Sequence, residues 1–174
     1  MNEPTWLTVA RSHIGQAEKP GPASSDWIRA MWARLKGGKW FWDAIGKGDD
    51  SKLPWCGAFT ALCLDESGIE YAKDYASAKA WLNWGTPMSA PAIGCVVVFS
   101  REGGGHVGFV VGRTVRGNLL VLGGNQGDAV KLSEFPLSRV AGYRWPKVAF
   151  PQPLVSLSDL PVVSFAGGIS TNEA

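Results

Sequence analysis

Two side chains in this 174-residue sequence stand where a reaction needs them, a thiol and an imidazole. The thiol is Cys56, in the stretch Leu53-Pro54-Trp55-Cys56-Gly57-Ala58-Phe59. Pro54 suits the first position of a helix, where its missing N–H costs nothing. Cys56, Phe59, Thr60, Cys63 and Leu64 then recur with helical period, and Gly68 marks the stop. The expectation is a cysteine in the first helical turn. There the macrodipole lowers the thiol pKa and raises its thiolate fraction. The imidazole is His106, in Gly103-Gly104-Gly105-His106-Val107-Gly108-Phe109, at the mouth of an apolar strand. A polar amide follows: Leu119-Leu120-Val121-Leu122-Gly123-Gly124-Asn125-Gln126 closes the next strand on Asn125.

Three Cys and two His allow six pairings, and Cys56 with His106 puts both partners at element ends. His13 reads as a surface or packing residue on an early helix. Cys63 lies two turns inside its helix, and Cys95 reads as a core residue at the start of a strand. The pair suits a thiol nucleophile and a general base. By residue type and position Asn125 reads as a turn residue after two glycines; the alternative is an acceptor for the second imidazole N–H, a role for which Gln126 competes. Trp55, Asp50 and Gln126 are the candidate substrate-binding residues. Trp55 either lines the cleft or packs in the core. Asp49 and Asp50 read as solvated turn residues, with Asp50 alternatively facing the cleft to bind an amine. Glu18 reads as structural.

The order Cys, His, Asn is that of a papain-type thiol hydrolase. "PWCGAF", "GGGHVGFVVG", "VLGGNQGD" and "GYRWP" resemble the cell-wall hydrolases of the CHAP and NlpC/P60 superfamily, over roughly residues 5–146, in a branch common among phage lysins. The resemblance implies a papain-like α+β fold and hydrolysis of a peptidoglycan amide in the peptide stem, the cross-link or the muramoyl–L-Ala linkage. Many CHAP domains carry a Glu two positions before the Asn, where this chain has Gly123. Their acidic calcium loop is not evident here, and no cofactor or metal is expected.

The elements that must position these residues divide the chain in two. Helices are expected first: residues 4–14, with Trp6, Leu7, Ala10 and Ile14 on one face; a second helix capped by Ser24 or Ser25, with Trp27, Ile28, Met31, Trp32 and Leu35 as its stripe; and the Cys56 helix. The aromatic run Lys39-Trp40-Phe41-Trp42 reads as core packing or as a cleft wall. A short helix over 77–84 and a linker over 87–91 precede the strands. Cys95-Val96-Val97-Val98-Phe99, the His106 run, 119–122, 130–132 and 143–145 give an antiparallel meander. The fold class is α+β, with N-terminal helices packed on a central antiparallel sheet. Residues 1–146 form the expected catalytic domain. Residues 147–174 form a Pro- and Gly-containing tail, docked in part over 154–165 and disordered toward its end.

A net charge of +2 with no basic run points away from nucleic acid. An odd cysteine count without C-x-x-C excludes a disulfide framework. No run approaches the ~18 apolar residues of a membrane span, and the first residues lack a signal peptide. The expected protein is a monomer made in the cytoplasm, acting on the wall after holin-dependent release or export. Two other classes remain. A non-catalytic wall-binding module would lack Cys56 or His106. A delivered amidase or deamidase toxin, acting on wall or on protein, would keep both.

Overall fold

The computed structural model describes residues 3–19, 24–101, 103–147 and 156–167. The first helix, α1 (Thr5–Ser12), buries Trp6, Leu7 and Ala10. The Trp6 indole N–H donates to Gly94 O at 2.7 Å, and its ring meets Trp145 edge-on at 5.3 Å. That ties α1 to the sheet. Helix α2 (Asp26–Arg34) is capped by Ser25, whose hydroxyl accepts from the Ile28 N–H. The aromatic run folds as a short helix α3 (Gly38–Trp40) continued by a π-helical turn (Phe41–Ile45). Phe41 packs on Trp32 and Tyr75, and Trp42 is buried, while Trp40 stays exposed.

Helix α4 (Cys56–Glu66) is buried at every position from 56 to 64. A helix with no polar face belongs inside, and this one is the central helix of the core. It starts two residues later than Pro54 suggested. Pro54 and Trp55 lie outside it, Trp55 as N-cap, so Cys56 is the first helical residue. The short helix expected over 77–84 is a 3₁₀ helix, Ala78–Asn83.

Among the described residues the sheet runs β1 (Thr86–Met88), β6 (Val140–Trp145), β2 (Val96–Arg101), β3 (Gly104–Thr114), β4 (Leu119–Gly123), β5 (Lys131–Phe135), each neighbour antiparallel. Strand β1 falls where a linker was expected: paired with β6, Thr86–Met88 is recruited by an edge, a tertiary effect that its own sequence does not signal. The β2–β3 register sets Phe99 opposite His106 and Arg101 opposite Gly104. Beyond the end of β2, a short β7 (Val162–Val163) pairs in parallel with Arg113 and Thr114 of β3, and Leu160 is buried beside it. Residues 148–155 and 168–174, where part of the arm and most of the frayed end were expected, lie outside the described residues.

One buried charge braces the β3–β4–β5 corner. Glu134 accepts from the Thr114 hydroxyl at 2.7 Å, Asn118 Nδ2 at 2.9 Å, and Arg116 through Nε at 3.1 Å and Nη2 at 2.6 Å. Burial pushes its pKa up, but these donors more than offset that and hold it below the ordinary 4.5. A carboxyl with a depressed folded-state pKa stabilises fully above its unfolded value. The contribution is lost as pH falls through the folded value. Glu134→Gln therefore lowers the melting temperature at neutral pH. Thermal melts from pH 7 to 3 show a smaller acid-dependent loss in the variant than in the wild type.

Candidate active site

The site begins at the first turn of α4. The first helical bond of this turn is Phe59 N–H to Trp55 O, so the N–H groups of Cys56, Gly57 and Ala58 have no partner within the helix. Gly57 is dictated by contact: a Cβ there would stand 1.9 Å from Tyr75 O. The chain at Tyr75 thus presses on the start of the helix, held by the Trp81 indole N–H donating to the same carbonyl.

The Cys56 side chain is nearly closed off, at 4% exposure. Burial is the largest influence on the thiol and pushes its pKa above the ordinary 9.0. The Val107, Gly57 and Cys56 N–H groups and the Arg101 charge pull the other way without reversing it. The expected depression by the helix dipole is therefore corrected: desolvation of the thiolate outweighs the dipole. The Val107 N–H at the thiol places Cys56 beside the residue that follows His106. Cys63 and Cys95 are fully buried, with thiols pushed up further, Cys95 to about 12.

His106 is buried and stacked. Its ring lies 5.2 Å from Phe135 at 10° and 6.3 Å from Phe99 at 20°. The edge is fixed by an amide: His106 Nε2 is 3.0 Å from Gln126 Oε1. The Gln126 NH₂ group donates to Val121 O at 3.3 Å and to Lys131 O. Two carbonyls can only accept, so the amide must turn its oxygen to the ring. The ring nitrogen facing it is then a donor, Nε2–H, and in the neutral tautomer the lone pair is on Nδ1.

Asn125 is also buried, with a left-handed backbone (φ 55°) in a tight turn after β4. Asn tolerates this conformation better than most residues. Gly124 lets that turn close on the helix, since a Cβ there would meet Phe59 at 2.6 Å and Trp55 at 2.7 Å. Gly123 leaves room for the clamp: its Cβ would stand 2.8 Å from Gln126 Oε1 and 3.2 Å from His106 Nε2.

The other sequence candidates lie deeper than expected. Trp55 is fully buried, and its indole N–H donates to Glu18 Oε1 at 2.8 Å. Glu18 therefore has a partner that the sequence did not reveal. Burial pushes its pKa up, as do Asp128, Asp50 and Asp49, against the indole bond. Asp50 is not a solvated turn residue. Fully buried, it accepts from the Ser25 N–H at 2.6 Å and the Lys19 N–H at 3.4 Å, pinning the loop before Cys56 to the start of α2. His13 lies 2.9 Å from Glu66 and packs on Trp27, joining the ends of α1 and α4. Open grooves of about 760 and 510 Å³ surround residues 68–74 at the far end of α4. They are lined by Tyr71 and Lys73 among others, away from Cys56 and His106. Among the described residues no group of three or more His, Cys, Asp or Glu is placed to hold a metal ion.

Residues 47–125 match the family model of the CHAP domain. The family is one of amidases and peptidases acting on peptidoglycan, in general through a cysteine. The CHAP match opens in the loop before Cys56 and closes on Asn125, so it contains Cys56 and His106 and stops one residue short of Gln126. No curated protein matches the chain. No described helix is long and apolar enough to cross a membrane.

A thiol whose pKa is raised by burial gains thiolate as pH climbs past 9, rather than being already ionised at pH 7. Iodoacetamide labels Cys56 ahead of Cys63 and Cys95, and its rate keeps rising from pH 7 to 9.5. Mass spectrometry of the labelled protein across that range is the check. A rate that levels off below pH 7 would mean a preformed thiolate.

Proposed function

We propose that this protein is an endolysin-like peptidoglycan hydrolase that cuts an amide of the peptide stem, the cross-link or the muramoyl–L-Ala linkage. Cys56 is the nucleophile, His106 the acid–base group and Gln126 the residue that orients the ring. The observation that carries the reading is the Gln126 clamp, which leaves the Nδ1 lone pair of His106 as base in a ring adjacent in sequence to the Val107 N–H at the Cys56 thiol.

Burial pushes the Cys56 thiol above its ordinary pKa, so the resting nucleophile is the thiol rather than a preformed thiolate. His106 Nδ1 takes the thiol proton as the sulfur attacks the amide carbonyl carbon. The oxyanion is stabilised by the N–H groups at the start of α4, chiefly that of Cys56. As the C–N bond breaks, His106 returns the proton to the leaving amine. Water, deprotonated by His106, then attacks the thioester carbonyl. The sulfur leaves, recovers the proton, and a carboxylate product departs. Through both steps the Gln126 oxygen accepts the Nε2–H and supports the imidazolium. Trp55 acts from beneath the site, setting the turn from which Cys56 projects.

Digestion of purified peptidoglycan followed by mass spectrometry of the released fragments tests the reading and names the bond. Wild type releases fragments, while Cys56→Ala and His106→Ala fall to background with melting temperatures retained. Full activity in Cys56→Ala rejects the thiol mechanism. No release, together with modification of a protein target, identifies a delivered toxin instead.

The orienting role has its own test. Gln126→Ala lowers kcat on the order of 10–100-fold, less than loss of the acid–base group itself, with KM little changed. Gln126→Glu sets a negative charge beside the ring, raises the His106 pKa and moves the acid limb of the pH–rate profile upward. Asn125 needs a paired control because of its backbone. Asn125→Gly removes the side chain while keeping the left-handed turn, whereas Asn125→Ala strains it by roughly 1 kcal/mol. If Asn125→Gly is crippled and Gln126→Ala is near wild type, the ring is oriented by Asn125.

A further inference from the structure

We propose that Phe135 is a positioning residue of the reaction: its ring is the wall that keeps the His106 imidazole in the one plane from which Nδ1 serves Cys56. This deepens the hydrolase reading, in which His106 is the acid–base group, and rests on it. The neighbours of His106 on its own face of β3 are Gly104 and Gly108, so along the strand no side chain flanks the ring. A histidine χ2 is broad, and the Gln126 oxygen meets the ring at one nitrogen. The flat of the ring needs a support of its own. Phe135 supplies it, and the topology brings it there. It ends β5, at one limit of the order β1-β6-β2-β3-β4-β5, yet the chain rejoins the sheet at Val140 in β6. In a flat sheet four strand spacings of about 4.8 Å would separate β5 from β6, about 19 Å, whereas five residues reach at most about 18 Å. The 3₁₀ turn Leu137–Arg139, which lies against β2, takes up part of that reach. The sheet must therefore curl, and the crossover starts over the face that carries Phe99 and His106.

The ring geometry is specific. The Phe135 centroid is 4.4 Å from that of Phe99 and 5.2 Å from that of His106, with interplanar angles of 15° and 10°. Phe99 and His106 are cross-strand partners, and their own centroids are 6.3 Å apart. Rings stacked on opposite faces of Phe135 would be about 7 Å apart or more, so both lie under one face. Arg139 Cζ stands over Phe135 at 5.5 Å from its centroid, and with one face filled it takes the other. The layers are His106 beside Phe99, then Phe135, then Arg139. Turning the imidazole about χ2 drives its edge into Phe135. All three rings are fully buried, so that space opens only if the crossover moves.

The test pairs kinetics with the NMR signals of the imidazole. The sequence holds two histidines, so His13→Gln identifies the resonances of His106. In the wild type the His106 ring protons show contacts to the Phe135 ring and a ring-current shift. In Phe135→Leu that shift is lost and the signals broaden as the ring samples several orientations. On a soluble peptidoglycan fragment Phe135→Leu lowers kcat on the order of 10–100-fold with KM little changed. Phe109→Leu trims an equally buried ring on the other face of β3; its melting temperature falls by a comparable amount and its kcat is kept. If Phe135→Leu does not fold, Phe135→Met takes its place in the same comparison. Wild-type spectra without His106–Phe135 contacts overturn the proposal. So does a Phe135 variant whose kcat falls no further than that of Phe109→Leu. Both results leave the hydrolase reading standing. A wild type that shows the contacts but cleaves no peptidoglycan rejects the hydrolase reading, and the positioning role with it.

Discussion

The structure depends on the complete burial of one helix. From 56 to 64 every residue of α4 is out of water, which requires cover on all sides. α1 and α2 lie against it, and so do β3 and β4. Burial of this kind drives folding, but it places the first turn, whose N–H groups have no partner within the helix, in a region where charge is costly. The thiol inherits that cost, and burial outweighs the dipole in setting its pKa. The same desolvation strengthens every hydrogen bond offered to a developing oxyanion. The raised pKa of the Cys56 thiol is therefore a consequence of the packing.

The ring of His106 is held by a different kind of force. Phe135 stacks on the ring and on Phe99 and restricts tilt, while the Gln126 amide restricts rotation in the plane. The amide is in turn fixed by the carbonyls of Val121 and Lys131, which belong to β4 and β5. The orientation of the ring is thus determined by the sheet. Thr114, Arg116 and Asn118 around Glu134 hold the far ends of β3, β4 and β5 together. A disturbance there reaches the site through strand position, without contact with His106.

Much of this was legible in the sequence where a local rule operates. Cys56 at a helix start, His106 at a strand mouth and the Ser25 cap each follow from residue type and spacing. What escaped was set by contacts between distant segments. Asp50 reads as a loop carboxylate until Ser25 and Lys19 are folded over it. Glu18 has no visible role until Trp55 arrives 37 positions later. Thr86–Met88 becomes a strand because β6 offers an edge. The pKa direction at Cys56 was missed because a dipole argument sees only the helix, and the deciding quantity is the water excluded by everything around it.

Asn125 and Gln126 show the limit of motif reasoning most sharply. Both amides are buried and adjacent, and sequence alone offers no way to tell which oxygen reaches the ring. Backbone conformation separates them. Asn125 occupies the left-handed position of the turn, and the next residue swings back toward β5, where the Gln126 N–H bonds to Ala129 O and its side chain crosses to His106. That crossing needs the space over residue 123. Many CHAP domains place a Glu there, and here it is Gly123, whose Cβ position overlaps the Gln126 oxygen at 2.8 Å. A side chain at 123 and the Gln126 amide are therefore alternative ways of filling one position beside Nε2. The two differ in charge. A carboxylate stabilises the imidazolium and raises the ring pKa, whereas a neutral amide fixes the tautomer and leaves basicity to the surroundings. Where burial already pushes the Cys56 thiol pKa up, a neutral amide adds no charge beside the ring.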